Sequence, residues 1–286
     1  MERITDLIMS DKCIVSVCVI CYNQEKYIEE TLRGILSQKT NFVVELVISN
    51  DCSTDNTDNI INNVINNYDG KIVVKYFNHK KNLGMMQNFI FSLEQCEGKY
   101  IALCDGDDYW IDENKLQGQV HFLDNNLEFS LVHTGVLGNQ DGIIINPIPL
   151  KKWNHIKDEL SLKDSLYLPI AFTSTSLFRN KKLASKTKDR LLQLTSGDWG
   201  IWIYILLNGK AKFFDYPSAV YRMNVGVSQN FNWETNYLKR GFYLFSLLKL
   251  AKSNNDKKNI LVSILYYILI YFKLKIIANK IKPKLM

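Results

Sequence analysis

The sequence predicts an α/β fold: a mostly parallel sheet flanked by helices, followed by a C-terminal helical tail. Three observations predict it. Over the first hundred of the 286 residues, short apolar, β-branched runs alternate with segments whose apolar residues recur at helical spacing. The runs are apolar throughout rather than alternately, the mark of strands buried on both faces, as in βαβ units. Each run is followed by a polar cluster, where a parallel sheet binds its ligands.

Taken in order, "IVSVCVIC" (14–21) is the first strand. "KYIEETLRGILSQ" (26–38) puts Tyr27, Ile28, Thr31, Leu32, Ile35 and Leu36 on one helical face. "FVVELVIS" (42–49) is the second strand, and the following segment has apolar residues at 60, 61, 64, 65 and 68, a helix. "KIVVKYF" (71–77), the helix "MMQNFIFSLEQC" (85–96) and the strand "KYIALC" (99–104) continue the alternation. The polar clusters "YNQ" (22–24), "NDCSTDNT" (50–57), "NHKKNLG" (78–84) and "DGDD" (105–108) then share one rim. Beyond residue 110 the pattern loosens. A helix near 114–125, a strand near 129–138, a turn at "GNQDG", a strand at 171–179 and a helix at 197–209 are expected. "KFFDY" and "SAVYRM" read as two short strands, and helices dominate from about 232 to the end.

The composition, 47% hydrophobic and 22% charged, belongs to a globular chain. Residues 1–12 show no basic stretch followed by an apolar run, so no signal peptide is expected and the six cysteines are read as reduced thiols. Cys18-x-x-Cys21 has no second Cys or His pair to complete a zinc site. The net charge of +6 is uneven: residues 249–286 hold nine lysines and one aspartate, while the remaining 26 basic and 28 acidic residues nearly balance. A basic, apolar tail suits an anionic surface and not a nucleic acid. Its apolar run, 260–272, is 13 residues long and too short to span a bilayer. It either packs on the domain or lies on a membrane surface.

"LCDGDDYW" (103–110) crowds Asp105, Asp107 and Asp108 together. Two readings are open: a hard divalent cation, Mg²⁺ or Mn²⁺, held by oxygens, or a solvated acidic turn capping the next helix. Tyr109 and Trp110 exclude an EF-hand, and the chain has neither a P-loop nor a G-x-G-x-x-G motif. A cation without a phosphate-cradling loop fits a site where the ion itself holds a diphosphate.

"VSVCVICYNQEKYIEETLRGILSQ", "ISNDCSTDNT", "NLG" and "KYIALCDGDDYW", in this order and spacing, resemble family 2 glycosyltransferases of the GT-A fold. The resemblance is close over 13–125 and looser to about 230. It implies a GT-A domain over 1–230, with a nucleotide-binding half at about 13–110 and an acceptor half at about 111–230, and a basic helical tail at 231–286. It implies an inverting, metal-dependent transfer of a sugar from a nucleotide-diphosphate donor, UDP favoured, to a glycan or lipid-linked glycan. The setting implied is surface polysaccharide synthesis in the cytoplasm or at the inner face of the membrane, with peripheral contact through 257–286.

Residue by residue, the resemblance makes Asp107 the metal ligand, with Asp105 on the ribose or the metal's water shell. It places Tyr22 against the base, Asp51 on the base's N–H, and Asp198 as catalytic base. Asn50 stands where the family more often has aspartate, leaving the base open. Asn224 stands where many relatives carry a histidine, and Arg222 is assigned to phosphate. From the residues alone, Asp198 also reads as a helix cap, and Trp199 and Trp202 as either sugar platforms or core. Ser53 and Asp55 read as cap and first-turn acid of the next helix. Alternatives of other classes are a nucleotidyltransferase, which lacks its basic glycine-rich loop here, and a non-catalytic nucleotide- or lipid-binding subunit.

Overall fold

The computed structural model describes residues 13–145, 158–167, 170–194, 197–225 and 233–281. The segment read for a signal peptide, 1–12, lies outside them. Four parallel strands form the N-terminal half of the sheet: β1 (Val15–Cys21), β2 (Val44–Asn50), β3 (Val73–Asn78) and β4 (Tyr100–Asp105), in the order β3-β2-β1-β4. They are joined by α1 (Ile28–Leu36), α2 (Thr57–Asn66) and α3 (Met85–Gln95). Strand β1 is buried almost throughout because both faces are covered. Val15, Val17 and Val19 meet Ile28, Leu32 and Ile35 of α1, while Cys18 faces the opposite core with Phe89 and Leu93 of α3. All six cysteines are free thiols.

Past β4 come β5 (Tyr109–Trp110), α4 (Lys115–Asn125), β6 (Phe129–Gln140), β7 (Ile143–Ile145), β8 (Glu159–Leu160), α5 (Leu162–Ser165) and β9 (Ser176–Arg179). With β10 (Lys210–Arg222), the sheet continues β4-β9-β6-β10-β5, and β9 is antiparallel to both its neighbours. Asp141 and Gly142, at φ 52° and 87°, make the tight turn between β6 and β7. Two expectations need correction. Residues 171–179 are not one strand: Thr173–Thr175 form a 3₁₀ turn, and only Ser176–Arg179 pair. The Thr175 hydroxyl bonds Phe172 O at 3.0 Å, the local side-chain bond that competes with a ladder. The two short strands at 212–223 are a single strand, β10 (Lys210–Arg222), whose register shifts around Pro217 without ending it.

Helix α6 (Ser185–Leu191) and α7 (Gly197–Leu206) lead to the C-terminal pair, α8 (Trp233–Leu247) and α9 (Asn254–Ile281). The inner sides of this pair belong to the core that also holds α3 and α7: Tyr243, Leu244, Leu247, Ile260, Ile264 and Tyr267 are buried there. The Tyr243 hydroxyl donates to Gly200 O at 2.6 Å and the Tyr267 hydroxyl to Leu166 O at 2.5 Å. No described helix is long and apolar enough to cross a membrane.

Candidate active site

Strand register brings the polar loops together. Ile20 pairs with Asp105, Cys21 with Asn50, and Asn50 with Asn78, so the four strands end level on one rim. At Asp105 the chain turns sharply. Gly106 N donates to Ile20 O at 3.0 Å, and a Cβ at Gly106 would lie 2.8 Å from the Cys21 Cβ. Only glycine lets β1 pass that close between two aspartates. Thr31 of α1 holds the turn from below, its buried hydroxyl 2.6 Å from Asp108 O and 3.0 Å from Gly106 O.

The three crowded carboxylates take different positions. Asp108 points inward, 1% exposed, and Oδ1 accepts the Arg222 amide at 3.1 Å. Burial, then the charges of Asp107 and Asp105, push its carboxyl well above the usual range. Asp105 is pushed up to about 7 by burial, then by Asp107, and also by the charge of Asp198; the Thr173 hydroxyl, donating at 2.6 Å, works against this. Burial raises Asp107 as well, opposed in part by the Arg222 charge. Removing Asp108 from the rim relieves the crowding, and two carboxylates remain for chemistry.

Arg222 braces this loop. It is 7% exposed, its guanidinium held 4.8 Å from the Tyr27 ring centroid and 4.6 Å from that of Tyr109. It donates to Asp107 O and pairs with the Glu30 carboxylate. The guanidinium assigned to phosphate from the sequence is thus engaged with protein groups. Its partners on α1 are nearly two hundred residues away, and no local signal points to them.

Asp51 is 2% exposed, and its two oxygens accept the amides of Leu83, at 2.6 Å, and Gly84, at 2.9 Å. Gly84, at φ 86°, starts α3 from a conformation that other residues rarely adopt. Asn50 is buried, with Oδ1 accepting the Ser53 hydroxyl at 2.5 Å and Nδ2 donating to Tyr76 Oη at 3.2 Å. Ser53, expected as a helix cap, instead accepts the Asn23 amide at 2.9 Å and laces the first two loops together. Asp55 does serve the helix start, accepting Thr57 N at 3.0 Å, and hydrogen bonding lowers its carboxyl against an opposing burial effect. Tyr22, at the end of β1, stands 45% exposed on the rim.

Asp198 opens α7, half-buried and near enough to Asp105 for its charge to be felt there. Trp199 and Trp202 are core residues, their indole N–H groups donating to Ser165 O at 3.0 Å and Ala171 O at 3.1 Å. Asn224, just after β10, has φ 62°; the end of the segment read with it, 226–228, lies outside the described residues.

Among the described residues no three His, Cys, Asp or Glu side chains are grouped to hold a metal ion. Asp105 and Asp107 nevertheless fit a hard divalent cation. They present oxygen alone, and their mutual repulsion is what a cation relieves. Mg²⁺ is commonly bound by one or two carboxylates, with substrate phosphates and water completing the shell.

Behind the acidic loop lies a residue the sequence did not single out. Lys115, at the start of α4, is fully buried, with Nζ 4.2 Å from the Trp110 ring centroid and 3.0 Å from Gln119 Oε1. Burial lowers it to about 7. The folded state therefore binds fewer protons than the unfolded chain between about pH 7 and pH 10, and stability rises with pH across that window. In Lys115→Met the gain in urea stability between pH 7 and pH 9 should be smaller by about 2 kcal/mol. Equal pH slopes in the two proteins would contradict a neutral buried amine.

Comparison with known proteins shows the family and the fold. The family model described as glycosyl transferase family 2 matches residues 16–185. A Mycobacterium tuberculosis protein described as uncharacterized is 30% identical over 79% of this chain, which spans 62% of that relative's length. The putative teichuronic acid biosynthesis glycosyltransferase TuaG of Bacillus subtilis is 29% identical over 77% of this chain and 83% of its own. WfaP of Escherichia coli, named as a UDP-Glc:α-D-GlcNAc-diphosphoundecaprenol β-1,3-glucosyltransferase, is 28% identical over 76% of this chain and 80% of its own. Among solved structures, S. aureus TarS in complex with UDP-GlcNAc superposes with a TM-score of 0.65 at 22% identity, covering 89% of this chain and 72% of that one. The mannosyltransferase PcManGT of Pyrobaculum calidifontis, in complex with GDP-Man and Mn²⁺, gives 0.57 at 17% identity over 93% and 75%. Both likenesses bear on the fold.

Proposed function

The chain belongs to glycosyl transferase family 2, and we propose that it transfers a sugar, with inversion, from a nucleotide-diphosphate donor to an acceptor hydroxyl. The observation that supports this reading is the pair Asp105 and Asp107 at the turn that ends β4, with Asp198 of α7 near enough for its charge to act on Asp105. Asp107, with Asp105 beside it, would hold Mg²⁺ or Mn²⁺, which when bound would offset the charge of the leaving diphosphate. Arg222 serves the donor indirectly, by fixing the Asp107 backbone. Tyr22 offers an exposed ring to the base, and Asp51, which already folds the 82–84 loop, has second lone pairs left for the base's N–H. Asp198 takes the proton of the attacking hydroxyl, and with no carboxylate assigned as nucleophile a single displacement inverts the anomeric centre.

UDP is the favoured nucleotide and a lipid-linked glycan the favoured acceptor, by analogy with the reaction in WfaP's name and the ligand of TarS. Residues 1–230 form the catalytic unit in this reading, and the tail provides peripheral contact with the inner face of a membrane. A donor panel tests it: purified protein with UDP-, GDP- and TDP-sugars, with Mn²⁺ or with EDTA, and nucleotide release measured. Release from one nucleotide class that EDTA stops is the expected outcome. Release from none, or release indifferent to EDTA, would contradict it.

A further inference from the structure

Helices α8 and α9 are apolar on two sides, and only one side is covered. Ile260, Ile264 and Tyr267 of α9 and Tyr243, Leu244 and Leu247 of α8 face the core. The outward sides carry Phe242 and Phe245 on α8, and Leu261, Val262, Leu265 and Leu269 on α9, all exposed; Phe245 is 66% and Leu269 67% accessible. Residues 258, 262, 265, 269 and 272 follow helical spacing along one stripe. Gly241 sits against α9, where an added Cβ would lie 3.8 Å from Ile268, so Phe242 and Phe245 border the same stripe. Few monomeric proteins leave an apolar face of this kind uncovered.

Charge identifies the occupant. Lys249, Lys252, Lys257, Lys258 and Lys273 are exposed around the stripe, and among the described residues none of them has a carboxylate partner. The only acid on α9 is Asp256. Lys252 also contributes to the repulsion that, after burial, lowers Lys181. A two-fold contact with a second copy would set these lysines against their own equivalents. An anionic lipid surface instead offers phosphates to the lysines and a headgroup–acyl boundary to the leucines and phenylalanines. No described helix can span the bilayer, so the contact lies along the surface.

We propose that the outer face of the α8–α9 pair is a docking surface for anionic lipid, with Phe242, Phe245, Leu265 and Leu269 entering the interface and Lys257, Lys258 and Lys273 contacting lipid phosphate. This deepens the peripheral contact proposed above by giving it a defined surface that includes α8. It is tested apart from the catalytic reading, because soluble donors report that reading without lipid. Cosedimentation of the full chain with vesicles of phosphatidylglycerol and phosphatidylcholine, against phosphatidylcholine alone, is the experiment. The wild type should bind the anionic vesicles, less so in high salt. The double variant Leu265→Asp/Leu269→Asp should lose at least about tenfold in partition. Thermal unfolding and nucleotide release should not change in that variant. Lys257→Gln/Lys258→Gln, which keeps the apolar face, should lose about fivefold per lysine. Equal partition of wild type and variants would overturn the proposal. So would absent binding, or a solution dimer that Leu265→Asp/Leu269→Asp converts to monomer.

Discussion

Asp198→Asn is expected to lower sugar transfer by roughly 10²–10⁴ while leaving nucleotide and metal affinity near that of the wild type. The amide keeps the shape and hydrogen bonding at the start of α7 but cannot accept the acceptor's proton. The donor-side groups are left as they are: Arg222 still holds the Asp107 carbonyl, and Asp51 still ties Leu83 and Gly84. Nucleotide release, with water standing in for the acceptor, and UDP affinity measured on the same preparations separate chemistry from binding. NMR of the sugar first released should show the inverted anomer. A variant that turns over at the normal rate would reduce Asp198 to a helix start, and a retained anomer would overturn the single displacement itself.

The N-terminal half of the sheet was legible because its information is local. Each parallel strand is a continuous apolar run, and each loop begins where the run stops, so β1 to β4 and the rim they form could be read from periodicity. Beyond β4 the strands pair with distant partners. Strand β9 inserts antiparallel between β4 and β6, which no local pattern announces. The last strand read as two short ones, yet a bulge carries β10 past Pro217.

In the site, residue type was legible and side-chain commitment was not. Tyr22 and Asp105 lie at the ends of the neighbouring strands β1 and β4, and Asp198 opens α7 near enough for its charge to reach Asp105. Arg222 was assigned to phosphate by the resemblance, and its contacts with Tyr27, Tyr109 and Glu30 are set by tertiary packing that no local pattern announces. Trp199 and Trp202 show the same limit, since i and i+3 spacing serves a core as well as a sugar platform. Lys115 gave no signal at all: a lysine opening a helix normally reaches water, and only the fold buries this one beneath Trp110.

The loss from Asp107→Ala should be larger still in binding, because the diphosphate would meet the remaining acids with a cation ligand missing. Isothermal titration of UDP into the protein with Mn²⁺, with EDTA, and into the variant measures it. Metal-dependent binding by the wild type, lost in Asp107→Ala by more than about a hundredfold, is the predicted result. Equal UDP affinity in wild type and variant, or affinity untouched by EDTA, would place the metal and the donor away from the Asp105–Asp107 turn and contradict the site as built.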